Sequence, residues 1–129
     1  MDTSPPTVLL VEDYAETRAI FRLVLESGGF RVLEAASAED GLRIAAEHRP
    51  DVILTDLVMP GMTGVDAARA LRDRDETGGV PIVAVTGSAP RRFGEEELDR
   101  WFVRVLQKPV QPDELIRAVR HAYEDGQAA

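Results

Sequence analysis

Five polar side chains come directly after, or within two residues of, short apolar runs of the sequence. They are Glu12, Asp13, Asp56, Thr86 and Lys108. Asp56 comes where the apolar run 52–54 stops, as expected at the end of a strand buried on both faces of a parallel sheet. Because open α/β sheets bind ligands at the carboxyl ends of their strands, Asp56 is the first candidate for a reacting group.

A parallel sheet would gather the three carboxylates, the hydroxyl and the amine of this set at one edge. Neighbouring carboxylates repel one another unless a cation lies among them, and their hard oxygen atoms suit Mg²⁺. With the metal and Lys108 beside it, Asp56 would stay ionised and attack a phosphoryl donor. Mg²⁺ and Lys108 would neutralise the phosphoryl oxygens, and Thr86 would hydrogen-bond one of them.

Apolar runs and helical patterns alternate along the chain and would position these residues. Strands are predicted at 7–11, 30–35, 52–54, 81–85 and 103–106, with helices between them and a last helix at 112–123. Such alternation predicts an α/β fold with a doubly wound parallel sheet. Gly94 interrupts the helical pattern that Pro90 opens, so we expect a fourth helix that is short, broken or shifted. The polar, glycine-rich segment 73–79 is predicted to be a solvated connection.

The composition is typical of one globular domain, with 129 residues, 44% of them hydrophobic and 29% charged. We expect a disordered lead at 1–6, the domain at 7–123 and a tail at 124–129. The net charge of -8 argues against direct binding to nucleic acid or an anionic membrane. The chain has no cysteine, which excludes disulfides and thiolate sites. No apolar run approaches the roughly 18 residues of a membrane span and no signal-peptide pattern is present, so we expect a cytoplasmic protein.

Four segments carry a family resemblance: VLLVED at 8–13, TDLVMPGMTG at 55–64, VAVTG at 83–87 and LQKP at 106–109. With all four in this order, the chain resembles a response-regulator receiver domain, the family of the chemotaxis protein CheY. The resemblance implies five parallel strands in the order 2-1-3-4-5. It implies a signalling switch of a two-component or phosphorelay system, which catalyses only its own phosphorylation and dephosphorylation.

The resemblance also implies roles for individual residues. Asp56 accepts a phosphoryl group from the phosphohistidine of a sensor kinase or phosphotransfer protein. Asp13 and Asp56 ligate Mg²⁺ directly, and Glu12 holds it mostly through water. The backbone carbonyl of Val58 supplies a further ligand.

Two more residues and a protein surface follow from the same resemblance. Thr86 senses the phosphoryl group and Lys108 pairs with it, and the bond between Lys108 and Pro109 is usually cis in the family. Phosphorylation changes the affinity for a separate effector or for a fused domain. The face formed by the fourth helix, fifth strand and fifth helix is a usual partner surface and a possible homodimer surface.

The sequence departs from the family pattern at Val105 and in the fourth helix, which lacks the family's usual small-residue pattern and terminal glycine. Val105 stands where the family often has an aromatic switch residue, and Trp101 and Phe102 are the aromatic residues nearest to it in the sequence. We expect both aromatic residues to pack in the core under the fourth helix, and the alternative is an exposed patch that binds a partner. Val58 and Ser88 occupy positions that tune the lifetime of the phosphoryl group. Because valine cannot hold a hydrolytic water by a hydrogen bond, we expect slow to moderate self-dephosphorylation.

Two other functions fit parts of the same pattern. One is a Mg²⁺-dependent phosphohydrolase with an aspartyl-phosphate intermediate, but such enzymes use a second Asp as general acid where this chain has Val58. The other is a pseudo-receiver that binds partners without phosphorylation, which the complete acidic set disfavours. A nucleotide or flavin site is poorly supported, because the first strand is followed by Glu12 and Asp13 and not by a glycine-rich loop.

Overall fold

The computed structural model describes residues 4–87 and 94–128. The strands are β1 (Thr7–Val11), β2 (Arg31–Ala35), β3 (Val52–Asp56), β4 (Ile82–Thr86) and β5 (Arg104–Gln107). The helices are α1 (Ala15–Ser27), α2 (Ala38–His48), α3 (Gly64–Arg72), α4 (Glu95–Trp101) and α5 (Pro112–Ala128). Neighbouring strands pair in parallel in the order β2-β1-β3-β4-β5. The predicted fold and strand order are confirmed.

Both faces of the sheet are covered by helices, which explains why the strands read as continuous apolar runs. Side chains alternate between the two faces along a strand. In β3, Ile53 packs with residues of α2, α3 and α4, whereas Val52 and Leu54 pack with residues of α1 and α5. All three side chains are at most 1% exposed, so the middle of the sheet is a rigid support for the residues at its edge.

Side-chain caps fix the starts of the two helices that flank β3. Ser37 accepts a hydrogen bond from the Asp40 amide at the start of α2, at 3.1 Å. Thr63 and Asp66 form a reciprocal capping box at the start of α3, with hydrogen bonds of 3.1 and 3.3 Å. Because such boxes satisfy two otherwise unpaired amides, they hold the loop that leads from β3 into α3.

The connection between α3 and β4 is more firmly attached than its polar sequence suggested. Most of its residues are exposed, but Thr77 is completely buried and its hydroxyl donates to the Leu71 carbonyl at 2.8 Å. The Arg72 side chain donates to the carbonyls of Gly78 and Val80 at 2.9 and 2.6 Å. The segment is therefore a loop that side-chain-to-backbone hydrogen bonds fold back onto α3, which local composition does not reveal.

A Thr77→Val variant tests this attachment. The change keeps the volume of the side chain but removes its hydroxyl donor, so we expect a loss of about 1 kcal/mol in the free energy of unfolding. Urea denaturation measures it. As a control, Thr17→Val changes a half-exposed threonine of α1 and should shift stability by less than about 0.5 kcal/mol. Equal urea midpoints for Thr77→Val and wild type would show that the buried hydroxyl contributes nothing.

The ends of the domain differ from the prediction. The helix α5 continues to Ala128, so residues 124–128 are helical and the predicted end near Tyr123 is wrong. A glycine at 126 costs a helix only about 1 kcal/mol relative to alanine, and here it lies against Pro81. At the other end, the Pro6 carbonyl accepts a hydrogen bond from the Arg31 amide at 2.9 Å, so pairing begins before residue 7. Residues 1–3 lie outside the described range.

The helix α4 is short, as predicted, and has 7 residues. The predicted opening at Pro90 lies outside the described residues, as does Ser88. No helix in the described parts of the chain is long and apolar enough to span a membrane.

Candidate functional site

The carboxyl edge of the sheet brings the predicted residues to one place. Glu12 and Asp13 follow β1, Asp56 ends β3, Thr86 ends β4 and Lys108 follows β5. These strands are neighbours in the sheet, and the Lys108 amide donates to the Thr86 carbonyl at 2.8 Å. The edge is therefore assembled from four loops or strand ends that are far apart in the sequence.

Lys108 is the centre of the charged contacts at this edge. Its Nζ lies 2.8 Å from Glu12 Oε1 and 3.2 Å from Asp56 Oδ2. The same ammonium group lies 6.0 Å from the centre of the Phe21 ring, which α1 places beneath it. The peptide bond from Lys108 to Pro109 is cis, as the resemblance implied. One cation thus pairs with two carboxylates, one just after β1 and one at the end of β3.

Burial and pairing together set the protonation of this pair. Burial is the largest influence on Glu12, whose side chain is only 3% exposed, and it raises the pKa of Glu12 above its usual value in spite of the hydrogen bond from Lys108. Burial alone would lower the pKa of Lys108, but the hydrogen bond that Lys108 donates to Glu12 and the charge of Asp56 outweigh it, and that pKa is raised. Lys108 therefore keeps its positive charge at neutral pH.

Asp56 presents its carboxylate at the opening of the site. Its side chain is 11% exposed, Oδ1 accepts a hydrogen bond from the Val58 amide at 3.2 Å, and Oδ2 contacts Lys108. The Thr55 hydroxyl donates to the Asp56 carbonyl at 2.9 Å and holds the strand end. One carboxylate oxygen is thus tied to the backbone and the other to a cation, which orients the group without sealing it from solvent.

Three carboxylates in this site could hold a divalent cation. Glu12, Asp13 and Asp56 each offer one oxygen, and these atoms lie within 4.8 Å of one another. Glu12 is buried, Asp56 is half-buried and Asp13 is exposed, so the group is open to solvent on one side. A few carboxylates with room for water match the coordination that Mg²⁺ prefers. The donor set therefore fits this ion.

Thr86 and the hydrophobic residues at the end of α4 and in β5 are buried or half-buried. Thr86 is 1% exposed at the end of β4. Phe102 is buried, and Trp101 is half-buried against the same core, as predicted. Val105 is half-buried in β5.

The structure adds contacts that the sequence reasoning missed. The Trp101 indole donates to Glu97 at 3.1 Å, and the Arg69 guanidinium lies 5.6 Å from the indole ring and pairs with the same carboxylate. Arg18 donates to the Glu12 carbonyl at 2.8 Å. For the contacts among Arg69, Glu97 and Trp101, the only signal in the sequence was the spacing of Glu97 and Trp101 on one helix. Nothing local pointed to Arg18.

Comparison with known proteins agrees with this geometry. The protein-family model of the response regulator receiver domain matches residues 8–120 of the sequence. The polar-differentiation response regulator DivK of Brucella anthropi is 31% identical over 118 residues, which cover 90% of this chain and 94% of DivK. The protein PilH of Pseudomonas aeruginosa is 33% identical over 118 residues, covering 87% of this chain and 93% of PilH.

A solved structure extends the agreement to three dimensions. The receiver domain of the sensor histidine kinase PA1611 from Pseudomonas aeruginosa has a magnesium ion coordinated in its active-site cleft. It is 31% identical to this chain, covers 93% of it and 98% of its own chain, and superimposes with a TM-score of 0.84. The family model spans most of the sequence, and the sheet order and acidic edge agree with it. The chain belongs to the response-regulator receiver domains.

Proposed function

We propose that this receiver accepts a phosphoryl group on Asp56 in a Mg²⁺-dependent reaction, with a histidine kinase or phosphotransfer protein as donor. One observation supports this most: the half-buried Asp56 carboxylate lies beside two further carboxylates and one lysine at an open edge. A structural salt bridge needs one carboxylate for its cation, and this site has three. The excess of negative charge is explained if the site also receives a divalent cation and a phosphoryl group.

The chemical step uses Asp56 as the nucleophile. One carboxylate oxygen attacks phosphorus, the P–O bond of an acyl phosphate forms and the P–N bond of the phosphohistidine breaks. The electron pair of that bond stays on the ring nitrogen, and the donor leaves as neutral imidazole because its other nitrogen carries the proton. The Val58 amide, 3.2 Å from Oδ1, orients the carboxylate for this attack.

Lys108 is the residue that balances the charge of the phosphorylated state. Its ammonium group, 3.2 Å from Asp56 Oδ2, is within reach of an oxygen on a phosphoryl group attached there. Its raised pKa keeps Lys108 positively charged at neutral pH. Thr86, at the end of the neighbouring strand, would hydrogen-bond a second phosphoryl oxygen.

The metal would be held by Glu12, Asp13, Asp56 and the Val58 carbonyl. When bound, Mg²⁺ neutralises negative charge on the transferring phosphoryl group. Receiver domains are signalling modules and not metabolic enzymes, and we propose that this one catalyses only its own phosphorylation and dephosphorylation. The output is altered affinity for an effector, or for a second copy through the face of α4, β5 and α5. The cytoplasmic location stays a prediction.

Incubation with acetyl phosphate tests the proposal without knowledge of the natural kinase. With Mg²⁺ present, intact-mass spectrometry should show the gain of one phosphoryl group, and peptide mapping should locate it on Asp56. A chelator should prevent the gain. The indole of Trp101 contacts both α3 and α4 partners, so its fluorescence should change in parallel if α4 responds. A protein that gains no mass would refute the phosphoacceptor function, and steady turnover of small phosphate esters would favour a phosphohydrolase.

The lifetime of the phosphoryl group depends on Val58, which is half-buried two residues after Asp56. Its side chain has no group that could hold an attacking water, so we expect a half-life of minutes or longer for the purified phosphoprotein. A Val58→Asn variant introduces a donor and an acceptor and should lose phosphate several times faster. Val58→Ala is the control, because it opens space without adding a polar group. Intact-mass spectrometry over time measures the loss of phosphate from wild type and from both variants. A wild-type half-life of seconds would contradict the prediction.

A further inference from the structure

The loop between β1 and α1 carries two of the three candidate metal ligands, and one side chain bridges it. Arg18, in the second turn of α1, donates from Nη1 to the backbone carbonyl of Glu12 at 2.8 Å. This hydrogen bond spans six residues and closes the loop over Asp13 and Tyr14. The Arg18 side chain is 22% exposed, so the contact is partly shielded from water.

Other groups hold the rest of Glu12 but leave Asp13 without direct support. The Glu12 amide donates to the Ala35 carbonyl at 3.0 Å, and its carboxylate contacts Lys108 and the Tyr14 amide. In residues 4–87 and 94–128, no group hydrogen-bonds or pairs with the exposed Asp13 carboxylate. The position of that carboxylate therefore depends on the backbone that joins it to Glu12. Arg18 holds that backbone through the Glu12 carbonyl, which belongs to the peptide unit between Glu12 and Asp13.

Arg18 is itself oriented from the neighbouring strand. Its Nε lies 3.6 Å from Glu34 Oε1 on β2, and Arg22 Nε lies 3.5 Å from the other oxygen of Glu34. An ion pair this exposed contributes little to stability. The ion pair nevertheless directs Nε of the Arg18 guanidinium to Glu34 and leaves Nη1 free to donate to the Glu12 carbonyl. This arrangement uses two donors of the guanidinium fork, which lysine lacks.

We propose that Arg18 is a positioning residue that presets the β1–α1 loop, and with it Asp13, for the divalent cation. The inference rests on the proposed function, because it concerns the same metal site. It predicts an effect opposite to simple electrostatics. A positive side chain near an acidic site opposes the binding of a cation, so its removal would tighten Mg²⁺ binding if charge were its only influence.

Calorimetric titration of the whole chain with Mg²⁺ distinguishes the two roles. The Arg18→Met variant loses both the donor and the charge, and we expect Mg²⁺ to bind about 10-fold more weakly, as is usual when a group that orients a metal ligand is removed. Arg18→Lys keeps the charge and a single donor for the Glu12 carbonyl but not the fork that also reaches Glu34, so its Mg²⁺ affinity should fall between those of Arg18→Met and wild type. Arg22→Met is the matched control, because Arg22 also pairs with Glu34 but does not contact the β1–α1 loop. The Mg²⁺ affinity of this variant should equal that of wild type.

Circular dichroism and urea denaturation of each variant separate metal affinity from folding, and Arg18→Lys serves if Arg18→Met does not fold. An Arg18→Met or Arg18→Lys protein that binds Mg²⁺ as tightly as wild type, or more tightly, overturns the inference. So does a loss in Arg22→Met as large as that in the Arg18 variants. If wild type itself binds no Mg²⁺, the proposed function fails. If wild type binds and the Arg18 variants bind equally well, only this inference fails.

Discussion

An Asp56→Asn variant is expected to gain no phosphoryl group from acetyl phosphate and Mg²⁺ under conditions in which wild type is fully labelled. Asparagine has nearly the shape of aspartate, but its amide is not a nucleophile for phosphoryl transfer, and it removes one negative ligand from the metal site. The two other carboxylates of the edge cannot replace it. Glu12 is buried and paired with Lys108, and Asp13 lies beyond the end of a different strand.

The loss should not come from unfolding. Burial is the main cause of the raised pKa of Glu12, and the negative charge of Asp56, which the replacement removes, adds to it. Lys108 should keep its contact with Glu12, which is 2.8 Å in the wild type. We therefore expect the urea midpoint of Asp56→Asn to stay close to that of wild type. Asp125→Asn is the matched control, because Asp125 is exposed near the end of α5, at the opposite edge of the sheet. Intact mass measures the labelling, and a phosphorylated Asp56→Asn protein would place the acceptor elsewhere.

The second large effect is expected at Gly64, the first residue of α3. A Cβ atom there would lie 2.4 Å from the Asp56 carbonyl oxygen and 2.9 Å from the Leu57 Cα. Both are backbone atoms, so no side-chain rotation relieves the overlap. The Gly64 amide also donates to the Leu57 carbonyl at 2.9 Å, which holds the helix start against the strand end. An added methyl group must therefore push apart the two elements that position the phosphoacceptor.

We expect Gly64→Ala to lower the free energy of unfolding by about 1–3 kcal/mol, the range typical of overpacking. Because the displaced backbone carries Asp56, phosphorylation by acetyl phosphate should also slow in the fraction that remains folded. Gly79→Ala is the control, since nothing lies within 4 Å of a Cβ at that position, and it should leave stability unchanged or raise it by about 0.4–1 kcal/mol. Urea denaturation and the rate of labelling test both variants. Equal midpoints for Gly64→Ala and wild type would show that the loop yields without cost.

The sequence by itself determined the order of the strands along the chain and the residues at their ends. Each buried strand had to be a short apolar run, because both of its faces contact helices, and each run had to stop where the chain reached solvent. Parallel strands expose their carboxyl ends at one edge, so Glu12, Asp56 and Lys108 could be assigned to one site before any distance was known. The caps that the structure shows at Ser37 and Thr63 are equally local, since a cap and its partner lie within one turn of the helix.

Only the tertiary structure decided how those residues meet. Lys108 and Glu12 are 96 residues apart, and their contact depends on how β5 and β1 are placed relative to β3, which local patterns do not encode. The burial of Thr77 and the overlap that excludes a side chain at Gly64 depend in the same way on backbone paths through loops. So does the hydrogen bond from Arg18 to the Glu12 carbonyl, because a carbonyl acceptor is present at every residue and has no signature in the sequence. Local periodicity specifies which elements form, whereas these contacts depend on the packing of the whole domain.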